Sequence, residues 1–205
     1  VLELQNLEAW RDDRCLYQAL SLTLRPGQVA QILGPNGVGK TTLLKQIAGL
    51  SHFMSGDIRW KNQPVSADLQ QFQQDVLFLG HLAGIKSALT VAENLNILAA
   101  CRGQTLKVSR LDLALSRVGL RGYDDTPVAQ LSAGQKRRVA LARLFTEAPL
   151  LWLLDEPFTA IDQAGVGELE GWLADHAEQG GMVLLTTHHR LNLRCPVTPI
   201  ELIPA

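Results

Sequence analysis

Four short apolar runs punctuate the chain, and each ends on polar or glycine residues. Gln28 to Leu33 follows the turn signal Pro26-Gly27 and predicts a strand. Val76 to Leu79 predicts a second, closing at Gly80-His81. Leu150 to Leu154 and Met182 to Thr186 lack the alternation of a half-solvated strand, which predicts burial on both faces. Between these runs the period changes. Leu43, Leu44, Ile47 and Ala48 keep helical spacing, with Gly49 placed to end the helix. From Thr90 to Glu147 the helical period dominates: Val91, Leu95 and Leu98 share one face, and Leu111, Leu115 and Val118 another. Strands separated by helices, with polar residues at their C-terminal ends, predict an α/β fold on a mostly parallel sheet, and the helical block reads as an inserted subdomain.

Composition narrows the functional classes. The chain has 205 residues, 46% hydrophobic and 19% charged, which excludes a disordered or collagen-like polymer and suits one compact domain. Nineteen basic against twenty acidic residues give a net charge of −1, so no nucleic-acid partner is expected from electrostatics. No apolar stretch approaches the roughly 18 residues of a membrane-spanning helix, and the N-terminal residues lack the pattern of a secretory signal. Three widely spaced cysteines, Cys15, Cys101 and Cys195, without a CxxC pair predict reduced thiols and a cytosolic setting. Cys195-Pro196 could be read as a haem-thiolate dipeptide; a free thiol before a turn proline is the favoured reading.

The densest chemistry lies between the first predicted strand and helix. Gly34, Pro35, Asn36, Gly37, Val38, Gly39, Lys40 and Thr41 match G-x-x-x-x-G-K-[ST], followed by Thr42. Glycines let the backbone wrap a triphosphate, and amide N–H groups at a helix N-terminus point at the anion. Lys40 is placed to reach the β- and γ-phosphates, and the Thr41 hydroxyl to ligate Mg²⁺. The expected ligands are therefore a nucleoside triphosphate and Mg²⁺.

Asp155 and Glu156 end the run from Leu150. In a parallel sheet that edge lies beside the phosphate loop. Asp155 is suited to hold Mg²⁺ through a coordinated water, and Glu156 to orient or deprotonate the attacking water. A solvated Asp-Glu-Pro turn is the bland alternative. Ser132, with Gln135 three residues on, forms a capping box before the helical run from Lys136 to Glu147. The same N-terminus could offer Ser132 Oγ and the Gly134 amide to a γ-phosphate.

Leu131-Ser132-Ala133-Gly134-Gln135 resembles the Leu-Ser-Gly-Gly-Gln signature of ABC-transporter ATPase subunits, with Ala133 in place of one glycine. An added methyl is tolerable there if the backbone keeps a negative φ. The resemblance covers nearly the whole chain. It implies a P-loop NTPase (RecA-like) core with an antiparallel β edge and an inserted α-helical subdomain: a single ABC ATPase domain over 1–205, with 1–80 and 148–205 as core and 81–147 as helical subdomain. It also implies an adenine-stacking role for Trp10, a partner-contacting loop at Ala160-Ile161-Asp162, and a γ-phosphate switch at His188 rather than His189. His81 stands where the family usually has glutamine, reaching Mg²⁺ and water. Gly80-His81 through Leu95 resembles the ATPase subunit of the haem exporter of bacterial cytochrome c maturation, a subfamily that shares the Gly-His substitution and the Ala-Gly-Gln signature.

That resemblance implies a homodimer in which residues 34–42 of one copy bind MgATP and Ser132 to Gln135 of the other close over it. Separate integral membrane subunits would be the further partners, on the cytoplasmic face of the bacterial inner membrane, with ATP hydrolysis driving haem delivery or release of a haem-loaded chaperone. The tail from Arg190 to Ala205 matches the subfamily poorly. Two rival classes fit the sequence less well. A soluble ABC ATPase acting on DNA or ribosomes carries coiled-coil insertions or a second module, for which 205 residues leave no room. A P-loop kinase or GTPase leaves Ser132 and His188 unexplained.

Overall fold

The computed structural model describes residues 1–82 and 84–203. Two sheets carry the fold. The first is antiparallel, built from β1 (Leu2–Arg11), β2 (Arg14–Leu24), β4 (Ser55–Trp60) and β5 (Gln63–Pro64) in the order β2-β1-β4-β5. The second holds β3 (Val29–Leu33), β6 (Val76–Leu79), β7 (Leu151–Asp155), β8 (Met182–Thr186) and β9 (Val197–Glu201) in the order β6-β7-β8-β3-β9. All of its pairings are parallel.

Helix α1 (Lys40–Ile47) follows β3, and α2 (Leu69–Asp75) precedes β6. Between β6 and β7 run α3 (Val91–Cys101), α4 (Val108–Arg117) and α5 (Ala133–Thr146); α6 (Gln163–Glu178) joins β7 to β8. Each of the four sequence-predicted strands is present within one or two residues of its expected bounds. The last strand, β9, lies in the tail that carries no motif. It extends the parallel sheet beyond β3, and Leu202 N–H, just after it, donates to Leu33 O at 2.9 Å.

Every residue of β7 and β8 is buried, and the reason is visible in which core each side chain enters. Leu151, Leu153, Met182 and Leu184 face α1 and the antiparallel sheet. Trp152, Leu154, Val183 and Leu185 face α5, α6 and the other helices of the 91–146 block. A strand covered on both faces has no solvent side on which to place polar residues. At about 1.5–3 kcal/mol for each large apolar side chain removed from water, these central strands contribute heavily to the stability of both cores.

Parallel pairing has a consequence for function. The C-terminal ends of β3, β6, β7 and β8 emerge at one edge, where Asp155 pairs in register with Thr186, and Ile32 with the same threonine on its other side. The edge at which ligands bind in such sheets is thus where Gly34, Gly80, Asp155 and Thr186 leave their strands.

Candidate nucleotide-binding site

The loop from Gly34 to Gly39 leaves β3 and feeds directly into α1. Gly34 has φ 142°, and a Cβ there would sit 2.8 Å from the Leu202 carbonyl; the tail thereby walls the loop. Gly39 has φ 107°, and a Cβ would press on Leu16 and Tyr17 of β2 at 3.2–3.3 Å. Only glycine meets both demands. The Tyr17 phenol donates to Gln46 on α1, so the antiparallel sheet braces the helix whose N-terminus faces the anion site. Lys40 Nζ folds back onto the loop and donates to the carbonyls of Gly34 at 2.6 Å and Pro35 at 3.2 Å.

Across the groove, Asp155 is 4% exposed. Its Oδ2 accepts from Thr41 Oγ1 at 2.9 Å, and its Oδ1 accepts from Thr186 Oγ1 at 2.7 Å. Glu156 follows with φ 47°, a left-handed conformation uncommon outside glycine. Its amide donates to Thr186 O and Oγ1 at 3.1 and 3.0 Å. Its carboxylate meets His188: the His188 backbone N–H donates to Oε2 at 3.3 Å, and the ring Nε2 stands 3.6 Å from Oε1. The His189 ring turns elsewhere, pairing with Glu170 at 3.2 Å and leaning on Phe158.

These groups enclose a groove of about 330 Å³ that includes Lys40, Thr41, Thr42, Asp155, Glu156 and His188, with Asn36, Gly37 and Gly39 on the loop side. His81 is exposed and lines a neighbouring cleft of about 420 Å³, which shares Thr41 and Asp155 with the groove. Trp10 stands 43% exposed on β1, its indole donating to Glu8, and it does not line the groove; its neighbour Arg11 does, reaching Thr42 Oγ1 at 3.4 Å. Ser132, Gly134 and Gln135 do not line it either. They form the N-terminus of α5 with the reciprocal capping box intact: Gln135 N to Ser132 Oγ at 3.2 Å and Ser132 N to Gln135 Oε1 at 2.9 Å. Ala133 is the first residue of that helix, so its methyl meets no positive-φ demand.

Three participants escaped the sequence reading. Arg11 gave no signal beyond adjacency to Trp10. Thr186 ended a predicted strand, and only the register shows that it bridges Asp155 and Glu156. Arg137 did leave a trace: it falls on the same helical face as Ala140, Leu141 and Leu144, a charge within an apolar stripe. Burial pulls its guanidinium below the usual value, while the Asp155 and Glu156 carboxylates push it back up.

The site suits Mg²⁺ by its donor set. Thr41 and Asp155 offer hard oxygen donors, already 2.9 Å apart, whereas no cluster of three His, Cys, Asp or Glu side chains able to hold a metal occurs among the described residues. Mg²⁺ characteristically takes one or two carboxylate or hydroxyl oxygens together with substrate phosphates. The Thr186 bridge is open to a direct test. Thr186→Val keeps the shape but leaves a buried carboxylate oxygen short of a partner. It is expected to cost about 1–3 kcal/mol and to lower the melting temperature by roughly 2–12 °C in a thermal denaturation scan; an unchanged midpoint would show that Asp155 finds other donors.

Known proteins resemble this chain in sequence and in fold. The ABC transporter family model matches residues 17–159. The cytochrome c biogenesis ATP-binding export protein CcmA of Vibrio cholerae is 52% identical over 188 residues, covering 92% of this chain and 91% of that one. Its Yersinia pestis namesake is 51% identical over 192 residues, covering 94% and 88%. Among solved structures, an ABC transporter ATP-binding protein from Pyrococcus furiosus superposes with a TM-score of 0.84 at 25% identity, over 98% of this chain and 96% of that one.

Proposed function

The chain belongs to the ABC transporter family, and from that premise we propose that it is the ATP-hydrolysing subunit of a transporter serving cytochrome c biogenesis, moving haem or releasing a haem-loaded chaperone. The observation that carries the ATPase reading is the meeting of Thr41, Asp155, Glu156 and His188 at the mouth of one phosphate loop. The likeness to the Vibrio and Yersinia export proteins over nine-tenths of the chain supports the cytochrome c role.

In the proposed mechanism, Lys40 exchanges its bonds to Gly34 and Pro35 for the β- and γ-phosphates, whose oxygens are stronger acceptors for an ammonium than neutral carbonyls. The amides of Gly37 to Thr42 line the same anion. Thr41 and Asp155 would hold Mg²⁺, which supplies charge neutralisation across the β- and γ-phosphates. Glu156 accepts the proton of the attacking water, and His188 steadies both the carboxylate and the γ-phosphate. Trp10 would stack on the adenine.

Because the Ser132 turn does not line this groove, we assign it to the nucleotide of a second copy. Ser132 Oγ accepts from Gln135 within the chain and keeps its own hydrogen to donate. A dimer closed in this way needs about 5.5 kcal/mol of differential ATP affinity to move from 1:99 to 99:1. Charge-assisted hydrogen bonds at about 1.5–3 kcal/mol each are enough.

Among the described residues no helix is long and apolar enough to cross a membrane; in this proposal separate integral subunits provide the passage, and the ATPase sits on the cytoplasmic face of the inner membrane. Those subunits would sense ATP through the stretch from His81 to Thr90, of which residue 83 lies outside the described residues. Asn94, 3% exposed, staples its far end by donating to Lys86 O at 3.0 Å and Thr90 O at 2.9 Å while accepting from Lys86 N at 2.7 Å. Deletion of the gene is expected to abolish c-type cytochromes, with rescue by the intact protein and co-purification of integral membrane polypeptides. Normal cytochrome c content in the deletion strain would refute the cytochrome c role and leave the ATPase reading standing.

A further inference from the structure

Arg137 is 5% exposed on α5, one turn in from the Ser132 cap. Its hydrogen bonds go to carbonyls alone. Nη2 donates to Glu156 O at 2.8 Å and Asp155 O at 3.4 Å, Nε to Pro157 O at 3.3 Å, and Nη1 to Gly80 O at 3.1 Å. One side chain thus grips three successive peptides of the acidic turn together with the residue before His81. The turn needs such a grip. Glu156 holds φ 47°, a conformation that persists in a non-glycine residue only where its surroundings impose it. Thr186 fixes the amide side of Glu156, and Arg137 fixes the carbonyl side.

We propose that Arg137 is a positioning residue for ATP hydrolysis: it sets the Glu156 carboxylate toward the γ-phosphate and joins that turn mechanically to the Gly80–His81 segment and to the signature helix. Only the last link rests on the composite-site reading, in which the N-terminus of α5 serves the partner copy's nucleotide while Glu156 serves the chain's own. Closure over one nucleotide would then bear directly on the glutamate at the other. A planar fork suits this task. Its three nitrogens diverge in a fixed plane and reach two separate chain segments, whereas the single ammonium of lysine is a point donor on a flexible stem. Arginine at this position therefore acts by geometry, with charge secondary.

The test uses the full chain, with Arg137→Met to remove the donors at similar length and Arg137→Lys to keep the charge. For the methionine variant, turnover is expected to fall about 100-fold, as for a small misplacement of a reacting group. Affinity for a fluorescent ATP analogue should stay within about threefold, the pattern of an interaction felt chiefly in the transition state. Size-exclusion chromatography with ATP should show a persisting dimer, and the lysine variant should give intermediate turnover. Wild-type turnover in the methionine variant would overturn the proposal. So would loss of turnover together with analogue binding, which would make Arg137 a support of the fold alone. If the methionine variant does not fold, the lysine variant carries the same comparison of turnover with binding. Should Glu156→Gln itself fail to accumulate an ATP-held dimer, the composite site is refuted, while turnover against binding still decides the role of Arg137.

Discussion

Glu156→Gln is expected to reduce ATP turnover by about 10²–10⁴-fold, the range associated with loss of a positioned general base, while ATP binding persists. The substitution preserves shape, and the amide oxygen of glutamine can still accept from the His188 backbone N–H that now donates to Oε2 at 3.3 Å. What disappears, in the proposed mechanism, is the proton acceptor and one negative charge beside the γ-phosphate. Removing that charge relieves repulsion with the triphosphate, so binding should be equal or tighter. With cleavage blocked and both copies still able to grip the nucleotide, the closed dimer should accumulate. Size-exclusion chromatography with and without ATP reads this directly, and phosphate release reads turnover. A glutamine variant that hydrolyses at the wild-type rate removes Glu156 from the proposed mechanism.

The parts of this site that could be read from sequence are those where one local segment carries the whole requirement. The phosphate loop is such a segment: its glycines, Lys40 and Thr41 are consecutive, and the strand and helix around it announce themselves by period. The same holds for the buried run ending in Asp155-Glu156 and for the Ser132–Gln135 capping box. Legibility ends where the requirement is met across the fold. Thr186 matters because β8 pairs with β7 in a register that sets it opposite Asp155, and no feature of Met182 to Thr186 by itself encodes that register. Arg137 matters through carbonyls contributed by two other segments, and carbonyls leave no mark in a sequence. Strand β9 went unrecognised for a related reason. Its side chains are half-buried or exposed in no strict alternation, since it lies at the edge of the sheet; Pro199 within it suits such a position.

A pocket shared between two copies, as proposed, makes a prediction that no single-chain site can imitate. Lys40→Ala removes the ammonium that would bind the β- and γ-phosphates, and so disables the nucleotide-binding half. Ser132→Asp disables the closing half by setting a carboxylate against the γ-phosphate, yet aspartate remains a good N-cap, so the start of α5 should survive. A homodimer of either variant has two defective sites, and each alone is expected to lose turnover. Mixing them changes the outcome. In a heterodimer the two lesions fall on one nucleotide, and the other is enclosed by an intact loop from the Ser132→Asp copy and an intact turn from the Lys40→Ala copy. Random pairing of equal amounts makes about half of the two-fold dimers mixed. With independent sites, turnover should therefore return to roughly a quarter of that of the unaltered protein. If both chains fold, exchange partners and still show no recovery, the two halves do not meet across copies. If Ser132→Asp alone retains full turnover, the helix N-terminus at Ser132 lies away from the triphosphate, and the motor is not built from two chains.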